Sequence, residues 1–146
     1  MPVARWLMLC TRSIVDQNTN NVSLIEVIEQ LVVRAAESEE VTIPISLDLV
    51  FLSERLDANQ PEKAQGKITF RGPQPGFESA PITFEVNLEQ SNRSTNFVRI
   101  PAISVHGSGT YMFEASYFDE TADEWGVVAS YPFDVVCNPP DEPADS

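Results

Sequence analysis

The stretch TYMFEASYFDETADEWGVVASYPFDV, residues 110–135, decides the fold, because two alternating runs in it flank a short acidic segment. In the first run, the alternate residues are aromatic or alanine: Tyr111, Phe113, Ala115 and Tyr117. The second run keeps the same period: Trp125, Val127, Ala129, Tyr131, Phe133 and Val135. A period of two places one set of side chains on one face of a β-strand. The stretch therefore predicts two strands, each with a buried face, joined by the loop 119–124.

The same alternation extends over most of the chain after residue 42. It predicts further strands at Thr42 to Phe51, Gly66 to Arg71, Ile82 to Glu89 and Phe97 to Ser104. Pro44 and Pro101 lie inside two of these runs and indicate an edge position or a bulge, because proline cannot donate a ladder hydrogen bond. Clusters of Gly, Pro, Asn and Asp separate the runs. The predicted fold is all-β, a single antiparallel β-sandwich of about seven or eight strands, immunoglobulin-like in broad architecture.

The segment VSLIEVIEQLVVRAA, Val22 to Ala36, fits two interpretations. Ser23 and Glu26 have the spacing of a capping box, and apolar residues recur behind them at helical intervals. Many residues of the segment are β-branched, however, and Asp16 to Asn21 suits a hairpin loop after a strand from Ala4 to Val15. A strand is the favoured prediction, and a helix is the alternative.

Size and charge limit the class of protein. The chain has 146 residues, 42% of them hydrophobic, which is enough for one core. We expect one domain over residues 1–137 and a disordered, acidic, proline-rich tail over residues 138–146. The formal net charge of −13 repels phosphate backbones and anionic lipid, so we expect neither nucleic acid nor a membrane as a partner. The apolar run after Arg5 is too short for a signal peptide, which predicts a cytoplasmic protein.

Cys10 and Cys137 are the only cysteines of the chain. They form no CxxC motif, and the chain has one histidine, so neither a zinc site nor a disulfide framework is predicted. We expect two reduced thiols near the ends of strands, and no cofactor. Parallel first and last strands would place both thiols at the same end, so the sequence leaves open whether they touch.

Three stretches, in order along the chain, resemble a family of small bacterial β-sandwich proteins, a domain of unknown function. They are LCTRSIVDQNTNNVSLIEVIEQL (Leu9 to Leu31), PISLDLVFLSE (Pro44 to Glu54) and ISVHGSGTYMFEASYFDE (Ile103 to Glu120). Proteins of this family run from a first strand through an Asp-containing turn into a VSLI strand, and later into a G-x-Y-x-F strand. The resemblance covers residues 4–136 and implies a β-sandwich with a strand at VSLIEVIEQL. It implies no activity and no catalytic residue.

The tetrapeptide His106-Gly107-Ser108-Gly109 combines the single histidine with a serine between glycines. A nucleophile elbow needs G-x-S-x-G on a turn from strand to helix, whereas a strand follows here. A turn fits better, because Gly107 and Gly109 can supply positive φ before that strand. Cys10 lies in an apolar strand, where thiols are usually inert. We therefore predict no catalytic residue and a protein that is not an enzyme, with a hydrolase as the least favoured hypothesis.

The loop 119–124 is the candidate for a metal site. Calcium takes oxygen ligands, and loops at strand ends can converge carboxylates on one ion. The candidate ligands are Asp119, Glu120, Asp123 and Glu124. Their spacing matches no calcium-loop signature, and a hairpin loop in an acidic protein has the same composition. A solvated turn is therefore the favoured interpretation.

A second apolar face on the last two predicted strands is the candidate for an interaction surface. Four apolar residues lie opposite the aromatic set: Met112, Phe118, Val128 and Val136. Such a patch indicates a protein partner, a homo-oligomer or a covering segment of the chain. The favoured function is therefore a protein-interaction or scaffold module. The alternative is a calcium- or cationic-ligand-binding β-sandwich domain that uses the loop 119–124.

Overall fold

A computed structural model describes residues 1–139, so the predicted tail falls almost entirely outside the described residues. The described part contains eleven strands and no helix. The strands are β1 (Val3–Val15), β2 (Val22–Val27), β3 (Gln30–Arg34), β4 (Glu40–Ile43), β5 (Leu47–Glu54), β6 (Glu62–Arg71), β7 (Ile82–Leu88), β8 (Arg93–Ile100), β9 (Ile103–His106), β10 (Gly109–Asp119) and β11 (Glu124–Asn138). The all-β prediction is confirmed, although the strand count exceeds the predicted one. Over residues 1–139 there is no helix with the length and apolar character needed to cross a membrane.

Two main sheets and one short sheet organise these strands. The first main sheet has the order β2-β1-β5-β8, the second has the order β3-β11-β10-β6-β7, and the short sheet pairs β4 with β9. The pairs are antiparallel except for β3 and β11, which run parallel from the pair Gln30–Asp134 to the pair Arg34–Asn138. The predicted antiparallel arrangement therefore does not hold for this pair of strands.

Residues 22–36 form strands and not a helix, as the sequence analysis favoured, but the segment divides between the two main sheets. Its first half, β2, pairs with β1, and its second half, β3, pairs with β11. At the crossover, the Ile28 amide donates to the Leu9 carbonyl, and the Glu29 carbonyl accepts from the Asp134 amide. After this crossover, β3 runs parallel to β11.

Both prolines inside predicted strands mark interruptions. The predicted strand Thr42 to Phe51 is divided into β4 and β5, and the predicted strand Phe97 to Ser104 is divided into β8 and β9. Pro44 and Pro101 lie in the two gaps, where a continuous ladder would need the amide that proline lacks. The gaps lie beside each other, because β5 pairs with β8 and β4 pairs with β9. These two breaks, together with the division of residues 22–36 into β2 and β3, raise the strand count above the prediction.

A β-bulge in the hairpin of β10 and β11 changes which side chains face the core. The register shifts after the pair Ala115–Ala129, and Val128 is the additional residue. Trp125 and Val127 therefore lie on the outer face and are 37% and 58% exposed. The prediction that they share the inward face of β11 is wrong, because one inserted residue reverses the alternation.

The core combines side chains from both main sheets. The first sheet contributes Leu7, Leu9, Leu47, Leu49, Phe51, Val98 and Ile100, and the second contributes Ile68, Phe70, Val86, Leu88, Tyr111, Phe113, Tyr117, Phe133 and Val135. Between the sheets, the rings of Phe51 and Tyr117 lie 5.7 Å apart. Removal of these apolar surfaces from water is the main favourable term in folding.

Candidate functional site

The tetrapeptide His106-Gly107-Ser108-Gly109 connects β9 to β10. Gly107 has a φ of 81°, which glycine adopts without steric cost. The buried Tyr111 hydroxyl accepts a hydrogen bond from the His106 amide at 2.8 Å and donates one to the Gly107 carbonyl at 2.8 Å. The predicted turn is confirmed, and Tyr111 fixes it in the manner of a tyrosine corner.

Hydrogen bonds from this turn reach two other segments of the chain. The Glu37 carboxylate accepts from the Ser108 hydroxyl and from the Ser108 amide, the latter at 2.6 Å, and both bonds lower the pKa of Glu37. The Ser108 hydroxyl oxygen also accepts from the Cys137 amide at 2.8 Å. His106 Nε2 lies 3.1 Å from the carbonyl oxygen of Ser38. The serine and histidine side chains thus have separate partners, and they connect the turn to the segment after β3 and to β11.

The four acidic candidates lie in or beside the loop between β10 and β11: Asp119, Glu120, Asp123 and Glu124. The Asp119 carboxylate accepts hydrogen bonds from the amides of Thr121 at 3.0 Å and Ala122 at 3.3 Å. Asp123 has a φ of 54°, which aspartate tolerates in turns. Within residues 1–139, no group of three or more His, Cys, Asp and Glu side chains is placed to hold a metal ion. Hydrogen bonds within the turn therefore account for the shape of this loop.

The predicted interaction residues lie in β10 and β11. All four are half-buried: Met112, Phe118, Val128 and Val136. Val128 packs against the core from the bulge, so its assignment to the outer face is wrong. Phe118 contacts Trp125 on that face, with ring centroids 5.3 Å apart. Lys67 Nζ lies over the Trp125 ring, 4.6 Å from its centre. The lysine side chain therefore partly covers this small aromatic cluster.

The outer face of the first main sheet holds an apolar surface that no prediction from the sequence covers. In β5, the residues Leu47, Leu49 and Phe51 belong to the core, so the alternate residues point to the opposite side. The outward set is Asp48, Val50, Leu52 and Glu54. Val50 is fully buried although it lies outside the core cluster. The central strand of this sheet is therefore covered by side chains on both faces.

The strands on either side of β5 complete this surface. Trp6 and Met8 of β1 pair with Leu52 and Val50, and Phe97 of β8 pairs with Val50 from the other side. Directly opposed residues share one face of a sheet. We name this surface the apolar face and define it as Trp6, Met8, Val50, Leu52 and Phe97. Phe97 is its most open member, with a relative solvent exposure of 44%.

Ion pairs border the apolar face at both ends of β5. At one end, Arg99 Nε donates to Asp48 Oδ1 at 2.7 Å. At the other end, Glu54 accepts a hydrogen bond from Arg5 and lies 3.8 Å from Arg93. Three guanidinium groups thus meet two carboxylates, so this border has one surplus positive charge in a chain whose net charge is −13.

Hydrogen bonds favour the ionised form of both border carboxylates. Burial raises the pKa of Asp48, but the hydrogen bonds from Ser13 and the charge of Arg99 outweigh burial, so the pKa lies below its ordinary value. The Ser13 amide and hydroxyl both donate to Asp48 Oδ2 at 2.9 Å. The hydrogen bond from Arg5 is the main cause that lowers the pKa of Glu54. At neutral pH, both carboxylates therefore hold arginine side chains at the edge of the apolar face.

The sequence does contain a signal for this surface. Val50, Phe51 and Leu52 are consecutive apolar residues, and so are residues 6–9. Uninterrupted apolar runs within strands indicate burial on both faces rather than on one. Alternation identifies the inner face of β5 correctly, but it attributes no role to the residues between the inner ones.

Cys10 and Cys137 are both buried and both free. Cys10 pairs with Asp48 in β5, and its Sγ lies 3.5 Å from the Asp48 carbonyl oxygen. Burial and the nearby Asp48 charge raise the pKa of Cys10, which keeps the thiol protonated at neutral pH. Cys137 pairs with Val33 of β3, so the strand parallel to β11 is β3 and not the first strand. The side-by-side pairing of the first and last strands is therefore not formed, since β1 pairs with β2 and β5.

The comparisons with known proteins assign no family. No family model matches the chain, and no curated protein matches it. The resemblance to small bacterial β-sandwich proteins therefore stays a prediction. A solved structure, the PmoD soluble domain from Methylocystis sp. (Rockwell), is similar with 7% sequence identity and a TM-score of 0.39, over 92% of this chain and 98% of that chain. A likeness at this level carries no argument about the fold or function of this chain.

Proposed function

We propose that this chain is a β-sandwich module that binds a protein partner through the apolar face, and that the partner surface is apolar with an acidic border. One observation carries the proposal: Trp6, Leu52 and Phe97 lie on the outer side of a sheet whose inner side already supplies the core. A two-layer fold needs only one apolar face on each sheet. Apolar residues clustered on the other face are typical of interaction sites.

The charge of the border favours an acidic partner. The chain has 22 acidic and nine basic side chains, and Arg5, Arg93 and Arg99 of the basic set border the apolar face with exposed side chains. An acidic partner is attracted here and repelled by the net negative charge of the rest of the molecule. Charge complementarity of this kind directs a partner to one surface and sets its orientation.

A second copy of the chain matches this surface less well. Two copies that stacked face to face would bring their arginines together, and like charges across an interface reduce affinity. Anionic lipid matches the arginines, but the net charge of −13 opposes its approach. These two occupants are the alternatives that the experiment has to separate.

The experiment introduces a photo-activated cross-linking residue in place of Phe97 in the full chain. The matched control carries it in place of Val127, which is exposed on the other main sheet. Proteins captured in cells only from position 97 are identified, purified and titrated calorimetrically with the chain. We expect Phe97→Ser to weaken binding about tenfold or more, because it removes a partly exposed aromatic contact. Arg93→Glu should also weaken binding, and Val127→Ser should leave it unchanged.

Several results would overturn the proposal. One is equal affinity of the purified partner for Phe97→Ser and Val127→Ser, and another is capture from both positions or from neither. A dimer in light scattering that Phe97→Ser dissociates would assign the apolar face to a second copy. Binding to anionic phosphatidylserine vesicles that Phe97→Ser abolishes would assign it to lipid.

A further inference from the structure

A cavity of about 410 Å³ opens between the loop 72–81 and the corner that joins β8 to β9. Most of its walls are apolar: Phe70, Phe77, Ile82, Ile100, Ile103 and Phe113. Its volume lies within the range of about 300 to 1,000 Å³ that is typical of sites for small molecules. None of these side chains belongs to the apolar face, so the cavity is a separate feature of the molecule.

The walls of this cavity are held in place without a ligand. Phe70 and Phe113 belong to the core, with ring centroids 4.8 Å apart. Phe77 stands edge-on to Phe70 at 6.5 Å. Hydrogen bonds fix the loop that carries Phe77: the Gly72 amide donates to the Phe77 carbonyl at 2.9 Å, and the Ser79 amide donates to the Phe70 carbonyl at 2.9 Å. A preformed apolar wall reduces the ordering cost of binding.

The polar groups at this cavity are predominantly acidic. Glu40 and Glu78 both line it, and no lysine or arginine of the described residues does so. Arg71 is the basic residue beside Glu78, but it also pairs with Glu114, so two carboxylates share its single charge. The cavity therefore combines an apolar interior with a net negative rim. This combination favours a cation attached to an apolar body over a neutral or anionic molecule of the same shape.

We propose that this cavity binds a small amphiphile that has an aromatic or aliphatic body and an ammonium group. The body fills the apolar interior against Phe70 and Phe77, and the ammonium group is neutralised by Glu40 and Glu78. The Phe77 ring, which is half-buried, offers an additional surface to the cation. The inference is independent of the proposed protein partner, because the two sites have no residue in common.

The test uses three probes that share one apolar body and differ in charge: 4-phenylbutylamine, 4-phenylbutanol and 4-phenylbutyrate. Each is titrated into the isotope-labelled full chain and followed by amide chemical shifts. We expect the amine to give saturable shifts around residues 76–82 and 100–104. Its affinity should exceed that of the alcohol by about tenfold, which corresponds to about 1.4 kcal/mol. The carboxylate should give no saturable shifts at these residues.

Variants connect binding to the cavity. Ala80 is exposed and lines the cavity, so Ala80→Trp should fill it and abolish binding without disturbing the core. Glu40→Gln combined with Glu78→Gln should remove the preference for the amine over the alcohol. Glu120→Gln combined with Glu124→Gln, which changes the net charge by the same amount at the hairpin of β10 and β11, should leave the preference unchanged. The proposal is overturned if the carboxylate binds as tightly as the amine, if none of the probes gives saturable shifts, or if Ala80→Trp binds like the unmodified chain.

Discussion

Replacement of Gly66 by alanine tests how closely the core is packed. Gly66 pairs with Phe84 of β7 on one side and with Tyr117 of β10 on the other. A Cβ atom at Gly66 would lie 2.5 Å from Cε2 and 2.6 Å from Cζ of Phe84. That is about 1 Å inside the usual separation of non-bonded carbon atoms. The Phe84 ring has little freedom to retreat, because it stands edge-on against Phe51 at 5.9 Å.

The expected effect follows from two opposing terms. Forcing one methyl group into a packed core costs about 1 to 3 kcal/mol. Removing the flexibility of glycine from the unfolded chain returns about 0.4 to 1 kcal/mol. We therefore expect Gly66→Ala to lower the free energy of unfolding by about 1 to 2 kcal/mol. Gly126 is the matched control, because it pairs with the opposite side of Tyr117 and a Cβ atom there would meet nothing within 4 Å.

Urea titrations monitored by tryptophan fluorescence measure both variants under the same conditions. Gly126→Ala should be as stable as the unmodified chain or slightly more stable, because only the entropic term acts there. Adding Phe84→Leu to Gly66→Ala should recover part of the loss, so the two changes should be non-additive. Equal stability of Gly66→Ala and Gly126→Ala, or strict additivity with Phe84→Leu, would refute the reasoning.

Three further changes have outcomes that the structure fixes. Asp48→Asn should lower the free energy of unfolding by about 2 kcal/mol at pH 7, and the difference should shrink below about pH 4. The reason is that the pKa of Asp48 is lower in the folded chain than in the unfolded chain, so the stability it gives is lost as the pH falls through the folded pKa. Urea titrations at several pH values across that range measure the difference. Ser108→Ala should lower the free energy of unfolding by about 1 kcal/mol in the same assay, because the amide of the buried Cys137 loses its acceptor. Tyr117→Phe should lower the free energy of unfolding by about 1 to 3 kcal/mol, because the fully buried Ser53 hydroxyl loses its hydrogen-bond partner, the Tyr117 hydroxyl 2.6 Å away. A thermal melt that matches the unmodified chain would contradict this prediction.

The strands that the sequence predicts well are those whose pattern is local. In most of β7 and β10, buried residues alternate with more open ones, so a period of two identifies these strands. The turn at Gly107 is equally local, because its positive φ is a property of the residue type. The extended conformation of residues 22–36, which contain β2 and β3, is identified from β-branched residues and from the hairpin loop that precedes them.

The features that the sequence does not predict depend on pairing between distant strands. The bulge at Val128 is defined only by the register of β11 against β10. The divided strands around Pro44 and Pro101 depend on each other, because the two breaks lie side by side in neighbouring strands. The crossover at Ile28 needs the positions of both main sheets. A local period contains none of this information, so these errors arise from tertiary structure and not from the propensities of the residues.

The apolar face also depends on pairing between distant strands. Trp6, Leu52 and Phe97 are separated by more than forty residues in sequence, and only the order β1-β5-β8 brings them to one face. The order of the strands alone does not identify that surface as apolar, because the alternation in β5 predicts burial only for its inner residues. The uninterrupted apolar run at Val50, Phe51 and Leu52 supplies the missing information, since a strand that is apolar on both faces must be covered on both faces.

On its inner face, β5 is covered by the second main sheet. Outside it, neighbouring side chains bury Val50 but leave Phe97 partly open, so the second cover is incomplete in the isolated chain. A partner that contacts Phe97 would complete it, and for this reason Phe97 is the position from which the proposed function is tested.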